Sequence, residues 1–121
     1  MGKFTVQRVK AGFKFNLKAG NGQIIATSGI FRVMEDCLSA IERVKVCAEA
    51  PVEDQTVSSA QPLPCPKFEV RHTDRGGIGF FLRDDKGNLL VHSKNYTAKR
   101  SCIAGIRSIA ENAPDAEVIT G

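Results

Sequence analysis

Two histidines, His72 and His92, share one half of this chain with Asp74, Asp84 and Asp85. Imidazole beside carboxylate is the material of acid–base catalysis and of metal sites. The spacing argues against both uses, because the chain repeats itself and neither histidine is kept in the other copy. His72 falls where the first copy has Arg8, and His92 where it has Thr27. Both are expected to be surface residues of strands, with Asp84-Asp85 leading into the Lys86-Gly87 turn. The four cysteines, Cys37, Cys47, Cys65 and Cys102, include no Cys-x-x-Cys pair and no nearby histidine cluster, so they read as reduced thiols. Cys37 and Cys102 occupy matching helical positions and are expected in the core, where a thiol packs as a small apolar side chain. Cys65, between two prolines, is expected to be the most exposed.

Ser28 and Ser93 recur at the ends of matching strands without the Gly-x-Ser-x-Gly context of a hydrolase elbow, and a capping or turn role is expected of them. Arg75-Gly76-Gly77-Ile78-Gly79 is glycine-rich but lacks the Lys-Ser or Lys-Thr and the following helix of a phosphate loop. It reads as a hairpin turn. No residue is therefore assigned to catalysis, to a cofactor or to a metal, and the chain is not read as an enzyme. The face with functional colour is the outer side of the sheet, where alternation places Lys14, Asn16 and Lys18 in the first copy and Arg71, Phe81, Arg83 and His92 in the second. Basic and aromatic side chains on a sheet can neutralise and stack a single strand of nucleic acid. Lys14, Lys18, Arg71, Phe81, Arg83 and His92 are accordingly the candidate ligand-contact residues.

The element that positions them is a hairpin written twice. Phe13, Phe15 and Leu17 alternate with Lys14, Asn16 and Lys18, the period of a strand with one buried face, and Asn21-Gly22 suits a two-residue type I′ turn. Pairing about that turn sets Leu17 opposite Ala26, Asn16 opposite Thr27 and Lys18 opposite Ile25. The same register in the second copy sets Phe81 opposite His92 and Arg83 opposite Leu90. A first strand over residues 3–9 precedes the hairpin. From Arg32 to Ala48 the apolar residues Met34, Cys37, Leu38, Ile41 and Val44 fall three or four apart, which marks an amphipathic helix. Pro51 ends it, and a short strand is expected near residues 55–57.

From Lys67 the pattern begins again. Leu82, Gly87, Ser93, Cys102, Ile106 and Ala113 each lie 65 positions after an identical residue, as Phe80 does after Phe15. A second helix is expected over residues 98–112 with Thr97 as its N-cap, then a last strand over residues 117–120. A period this long, present twice, argues against a solenoid and for a pseudo-symmetric pair sharing one core. The chain divides into a first repeat (1–57), a Pro-rich linker (58–66) and a second repeat (67–121), the two repeats forming a single structural domain.

At 121 residues with 42% hydrophobic content, the chain can close one core. Seventeen Lys and Arg against 13 Asp and Glu give a net charge of +4, spread along the chain, which favours solubility and a mild attraction to polyanions. The opening residues lack the apolar run of a secretory signal, and Val6 stands where a myristoylation motif wants Ser or Thr. A cytoplasmic protein is expected.

Phe-x-Phe-x-Leu, Asn-Gly followed by Ile24-Ile25-Ala26-Thr27-Ser28, an aromatic at Phe31 or Tyr96, Gly105-Ile106-Arg107-Ser108-Ile109 and the run from Asn112 to Val118 together resemble the YegP-like family of small proteins. The resemblance covers both repeats. It implies a β-β-β-α-β unit, present as a tandem pair or a dimer, whose last strands cross to the partner's sheet, and it implies no activity. The expectation is an α+β domain: an antiparallel sheet with two helices packed on one side and the last strands exchanged between halves. As a function, a monomeric, non-enzymatic binding or stress-associated accessory module is expected, with a protein partner or, as one alternative, weak binding of single-stranded nucleic acid on the outer face; an enzyme with an unrecognised site is the other alternative. No cofactor and no membrane association are expected.

Overall fold

Each repeat contributes three antiparallel strands and then a helix, and gives its last strand away. The computed structural model describes residues 2–120. The first repeat comprises β1 (Lys3–Val9), β2 (Gly12–Lys18), β3 (Ile24–Thr27), α1 (Met34–Cys47) and β4 (Val52–Asp54). The second comprises β5 (Lys67–His72), β6 (Ile78–Arg83), β7 (Leu89–His92), α2 (Lys99–Asn112) and β8 (Glu117–Ile119). The eight strands lie in one sheet in the order β4-β5-β6-β7-β3-β2-β1-β8. The exchange is visible in that order: β4 joins β5 of the second repeat, and β8 joins β1 of the first. Both added strands run parallel to their neighbours, Val52 opposite Phe68 and Val118 opposite Phe4. The sheet is thus mixed, antiparallel through its six central strands and parallel at its two edges. The consecutive parallel strands β4 and β5 are joined by residues 55–66, about the dozen residues that a parallel connection needs.

Thr27 pairs with His92 where β3 meets β7. These two residues are 65 positions apart, so the pseudo-two-fold axis passes between them. One ladder pair is a thin seam, and the helices close it: α1 lies over β2, β6 and β7, and α2 over β3 and β6. The core follows the same symmetry. Phe4 meets Phe15 edge-on with ring centroids 5.7 Å apart, Phe68 meets Phe80 at 5.9 Å, and all four rings are fully buried. Phe31 stacks on Phe15 and Tyr96 on Phe80. The extra hydroxyl of Tyr96 is accommodated by Gly105, where an added Cβ would come within 2.5 Å of Oη. The first repeat has Phe31 and Ala40 at the corresponding places, a methyl exchanged for a hydroxyl.

Local geometry departs from the alternating pattern in several places. A bulge after Leu17 sets Lys18 opposite Ile24, not Ile25, and a bulge after Leu82 sets Arg83 opposite Leu89, not Leu90. The extra residue turns Ile25 and Leu90 inward beside Ala26 and Val91, so two neighbouring residues are buried on one strand. Neither hairpin uses a type I′ turn, since no residue other than glycine has positive φ among the described residues. Gly22 and Gly87, at φ 86° and 82°, follow tight turns in which the Gly22 N–H donates to the Ala19 carbonyl and the Gly87 N–H to the Asp84 carbonyl. This is the three-residue loop with a glycine bulge. The strand expected near residues 55–57 lies at Val52–Asp54, where β5 can take it. Helix α1 begins at Met34 and α2 at Lys99, and Ala98 occupies the N-cap position expected for Thr97, with no side-chain cap. Tertiary packing supplies what the cap does not.

Ser28 and Ser93 have a shared task. Each hydroxyl accepts the backbone N–H of the core phenylalanine on the preceding strand, Phe15 or Phe80, at 2.9 Å, and donates to the next carbonyl at 2.7 Å. A side chain thereby stands in for a ladder carbonyl where the strand ends. Asp84 does more than lead into a turn. Fully buried, it accepts the N–H groups of Lys86 and Asn88 at 2.9 Å, and Arg43 of the other repeat donates to it at 3.0 Å. Burial alone would raise its pKa, but these donors hold it below the ordinary carboxylate value.

The linker is tied down by Glu53 on β4. Its carboxylate accepts from Lys67 Nζ at 2.8 Å, from the Gln55 amide and from the backbone N–H of Leu63 at 2.6 Å. Lys67 first, then Gln55 and Leu63, lower its pKa from 4.5 to about 2. A carboxyl depressed on folding contributes stability above its unfolded pKa and loses that contribution as pH falls through the folded value. Linker anchoring is therefore expected to persist at pH 5 and to fade between about 4.5 and about 2. Amide exchange of Leu63 would report it; unchanged Leu63 protection relative to Phe80 across that range would contradict it. Glu53→Gln should loosen Leu63 already at neutral pH.

Candidate binding face of the sheet

Both helices cover one side of the sheet; the other carries the outward side chains of the strands, with the linker tied to Glu53 at the β4 edge. One ladder row crosses all eight strands: Glu53, Glu69, Phe81, His92, Thr27, Asn16, Thr5 and Ile119. Lys67, Arg83, Lys14 and Gln7 flank it on one side, and Arg71, Lys18 and Lys3 on the other. All six candidate contact residues thus lie on this face, but the structure divides them into two groups.

In the second repeat the cations are held by carboxylates. Arg83 Nε donates to Glu69 Oε1 at 2.9 Å, Lys67 lies 2.8 Å from Glu53 and 3.4 Å from Glu69, and Arg71 lies 3.7 Å from Glu69. Burial would raise the Glu69 pKa; Arg83 and Lys67 more than offset it, and the carboxyl sits below its ordinary value. The guanidinium of Arg71 lies over the Phe81 ring, 4.0 Å from its centroid, within cation–π range. Phe81 is therefore not a bare stacking surface. Its outward plane is Arg71, whose Nε is buried without a hydrogen-bond partner among the described residues. His92 tilts against the other side of Phe81, with ring centroids 6.5 Å apart.

In the first repeat the lysines stand without acids. Lys3 and Lys18 face each other across β1 and β2, and Lys14 faces Gln7. Among the described residues, none of the three lysines has a carboxylate within 4 Å. Between the lysines, Thr27 Oγ1 donates to Asn16 Oδ1 at 2.8 Å. The sequence reading omitted Lys3, Thr5, Glu53, Lys67 and Glu69. Glu69 could have been found, since it alternates with the core residues Phe68 and Val70 and must point outward.

A cavity of about 440 Å³ between α1 and the β6–β7 turn is lined by Glu42, Arg43, Cys47, Pro66, Asp84 and Asp85. Burial first, then the carboxylates of Asp84 and Asp85, raises the Cys47 thiol pKa against the opposing effect of Arg43, which suppresses the thiolate. Burial, with Asp54, pushes Cys102 up to about 11. Cys37 and Cys102 are both buried, and Cys65 is only partly covered. Among the described residues no three of His, Cys, Asp and Glu gather as metal ligands, and no helix is long and apolar enough to cross a membrane.

Comparison with known proteins agrees with the architecture. The family model described as a domain of unknown function, DUF1508, matches twice, over residues 10–54 and 75–119. The UPF0339 protein in ptx operon 5′ region of Stutzerimonas stutzeri is 30% identical over 98% of this chain and 95% of its own length. A UPF0339 protein of Methanosarcina acetivorans is 42% identical over 53 residues, which is 44% of this chain but 91% of that protein. It is about the size of one repeat. The solution NMR structure of the protein of unknown function yegP from E. coli superposes with a TM-score of 0.80 at 23% identity, covering 99% of this chain and 92% of that one. With the repeat matched twice and relatives such as the Stutzerimonas protein matching nearly its full length, the chain belongs to the YegP-like UPF0339 family as a tandem of two DUF1508 domains.

Proposed function

We propose that this protein is a cytoplasmic, non-catalytic accessory module that acts as a monomer and binds single-stranded nucleic acid on the uncovered face of its sheet. The observation that carries the reading is the lysine-bearing half of that face: Lys3, Lys14 and Lys18 project beside Thr5, Asn16 and Thr27, with no carboxylate within 4 Å among the described residues. Over the whole face Lys3, Lys14, Lys18, Lys67, Arg71 and Arg83 outnumber Glu53, Glu69 and Glu117. A flat, hydrogen-bonding, mildly basic surface suits an extended phosphate backbone better than a compact substrate, which would ask for a pocket with converging titratable groups. Arg71 adds a guanidinium plane on which a base can stack.

The test is a fluorescence-anisotropy titration of random-sequence RNA and single-stranded DNA at low and moderate salt. Binding should weaken steeply with salt, and Lys14→Gln or Lys18→Gln should each flatten the log–log slope by about 0.7, the value for one phosphate contact on a single strand. Arg83→Gln should change it less, because Glu69 already engages that cation. Absence of binding at low salt would remove nucleic acid and leave a protein partner as the reading of this face.

A further inference from the structure

We infer that Lys3 and Lys18, with Thr5 beside them on the next outward position of β1, form a site for the oxygens of a phosphate group, an inference that rests on the outer face being an anion-binding surface. The argument comes from the other half of the molecule. Lys67 and Arg83 face each other across β5 and β6 as Lys3 and Lys18 do across β1 and β2. On the next outward position of the first strand of each pair stands Glu69 in one repeat and Thr5 in the other; Glu69 faces Phe81 as Thr5 faces Asn16. Glu69 bridges its cation pair, Oε1 at 2.9 Å from Arg83 Nε and Oε2 at 3.4 Å from Lys67 Nζ. The second repeat thus carries its own oxyanion between the two cations, and the pseudo-two-fold axis carries that position onto Lys3 and Lys18.

The first repeat keeps the cations and replaces the acid by a hydroxyl. Two like charges directly opposite on neighbouring strands oppose each other, and an oxyanion from outside would offset that repulsion as Glu69 does internally. Thr5 can then donate where Glu69 could only accept. Asn16, 7% exposed, is held through Oδ1 by Thr27, and its amide nitrogen makes no hydrogen bond among the described residues, which leaves it as a further donor beside the site. Glu117 lies in register with Lys3 on β8, but no carboxylate comes within 4 Å of Lys3 among the described residues. The ligand chemistry is a phosphate oxygen, whether from a nucleic-acid backbone or from a free phosphate chain.

The exchange between repeats provides the experiment. Wild type, Thr5→Glu and Glu69→Thr are titrated with a labelled single-stranded oligothymidylate and, separately, with inorganic tripolyphosphate followed by backbone NMR shifts. Thr5→Glu should weaken binding roughly tenfold at low salt, the loss expected from two phosphate-contacting lysines, while Glu69→Thr should strengthen it by freeing Lys67 and Arg83. Shifts on tripolyphosphate addition should centre on Lys3, Thr5 and Lys18 in wild type and extend to Lys67 and Arg83 in Glu69→Thr. Should Thr5→Glu not fold, Lys18→Gln should weaken binding in the same direction, by the share of one lysine. If tripolyphosphate gives this pattern and the oligonucleotide does not bind, the site stands and the nucleic-acid reading falls. Oligonucleotide binding left unchanged by both exchanges would overturn the site and leave the face's reading intact. Binding of neither probe would overturn both.

Discussion

Truncating Phe80 to alanine lowers the stability of this protein by about 3–5 kcal/mol, and Phe15→Ala does the same in the other repeat. Both rings are fully buried, and each touches an edge-on ring below and a stacked ring beside it. Removing either leaves a cavity that its neighbours cannot fill, because Tyr96 and Phe31 are pinned by reciprocal backbone hydrogen bonds to Ile78 and Phe13. A loss of this size is a large part of the roughly 5–15 kcal/mol by which a domain is usually stable. The check is a urea midpoint with an unchanged denaturant slope. A shift equivalent to less than about 1 kcal/mol would mean that the site collapses and that the aromatic quartet is not the centre of the core.

How far such rings could be located from the chain alone depends on which force positions them. Phe15, Leu17, Phe80 and Leu82 alternate strictly, so burial on one face was legible, as were both helices from the spacing of Cys37, Ile41 and Val44 and of Cys102, Ile106 and Ile109. The strand exchange entered only through family resemblance; nothing local in Val52-Glu53-Asp54 announces it. β4 is a strand because β5 has an edge to offer, a non-local cause that no window of residues contains. Ile25 and Leu90 were assigned to the wrong register for a related reason. Two adjacent apolar residues cannot both face inward on a regular strand, and the core resolved the conflict with a bulge. On the candidate face the cations were found and their carboxylates were not: Glu53 meets Lys67 only once β4 has crossed over, whereas Glu69, on the same strand as Lys67, was open to the alternation argument. Sequence alternation says which way a side chain points; whether its charge is already answered depends on the neighbouring strand.

Splitting the chain should have the largest effect of all: residues 1–60, expressed alone, should not form a stable monomer. The fragment keeps β1, β2, β3 and α1, but α1 would lose β6 and β7 from beneath it and β1 would lose β8 from its edge. Cys37, Ile41 and Val44, buried in the whole protein, would have only three strands to cover them. The fragment also carries a strand with no place on its own sheet. β4 needs a partner oriented like β5, and the only such edge available to the fragment is β1 of a second copy, where Val52 could sit opposite Phe4 as Val118 does now. The fragment is therefore expected to be unfolded when dilute and to fold as a strand-exchanged dimer when concentrated, with a melting temperature that rises with concentration. The Methanosarcina acetivorans relative, about one repeat long, shows that the unit occurs in isolation. Sedimentation and thermal melts over a hundredfold range of concentration would decide the matter. A sharp, concentration-independent transition from a monomeric fragment would mean that each repeat holds its own core and that the exchanged strands are decoration on two independent units.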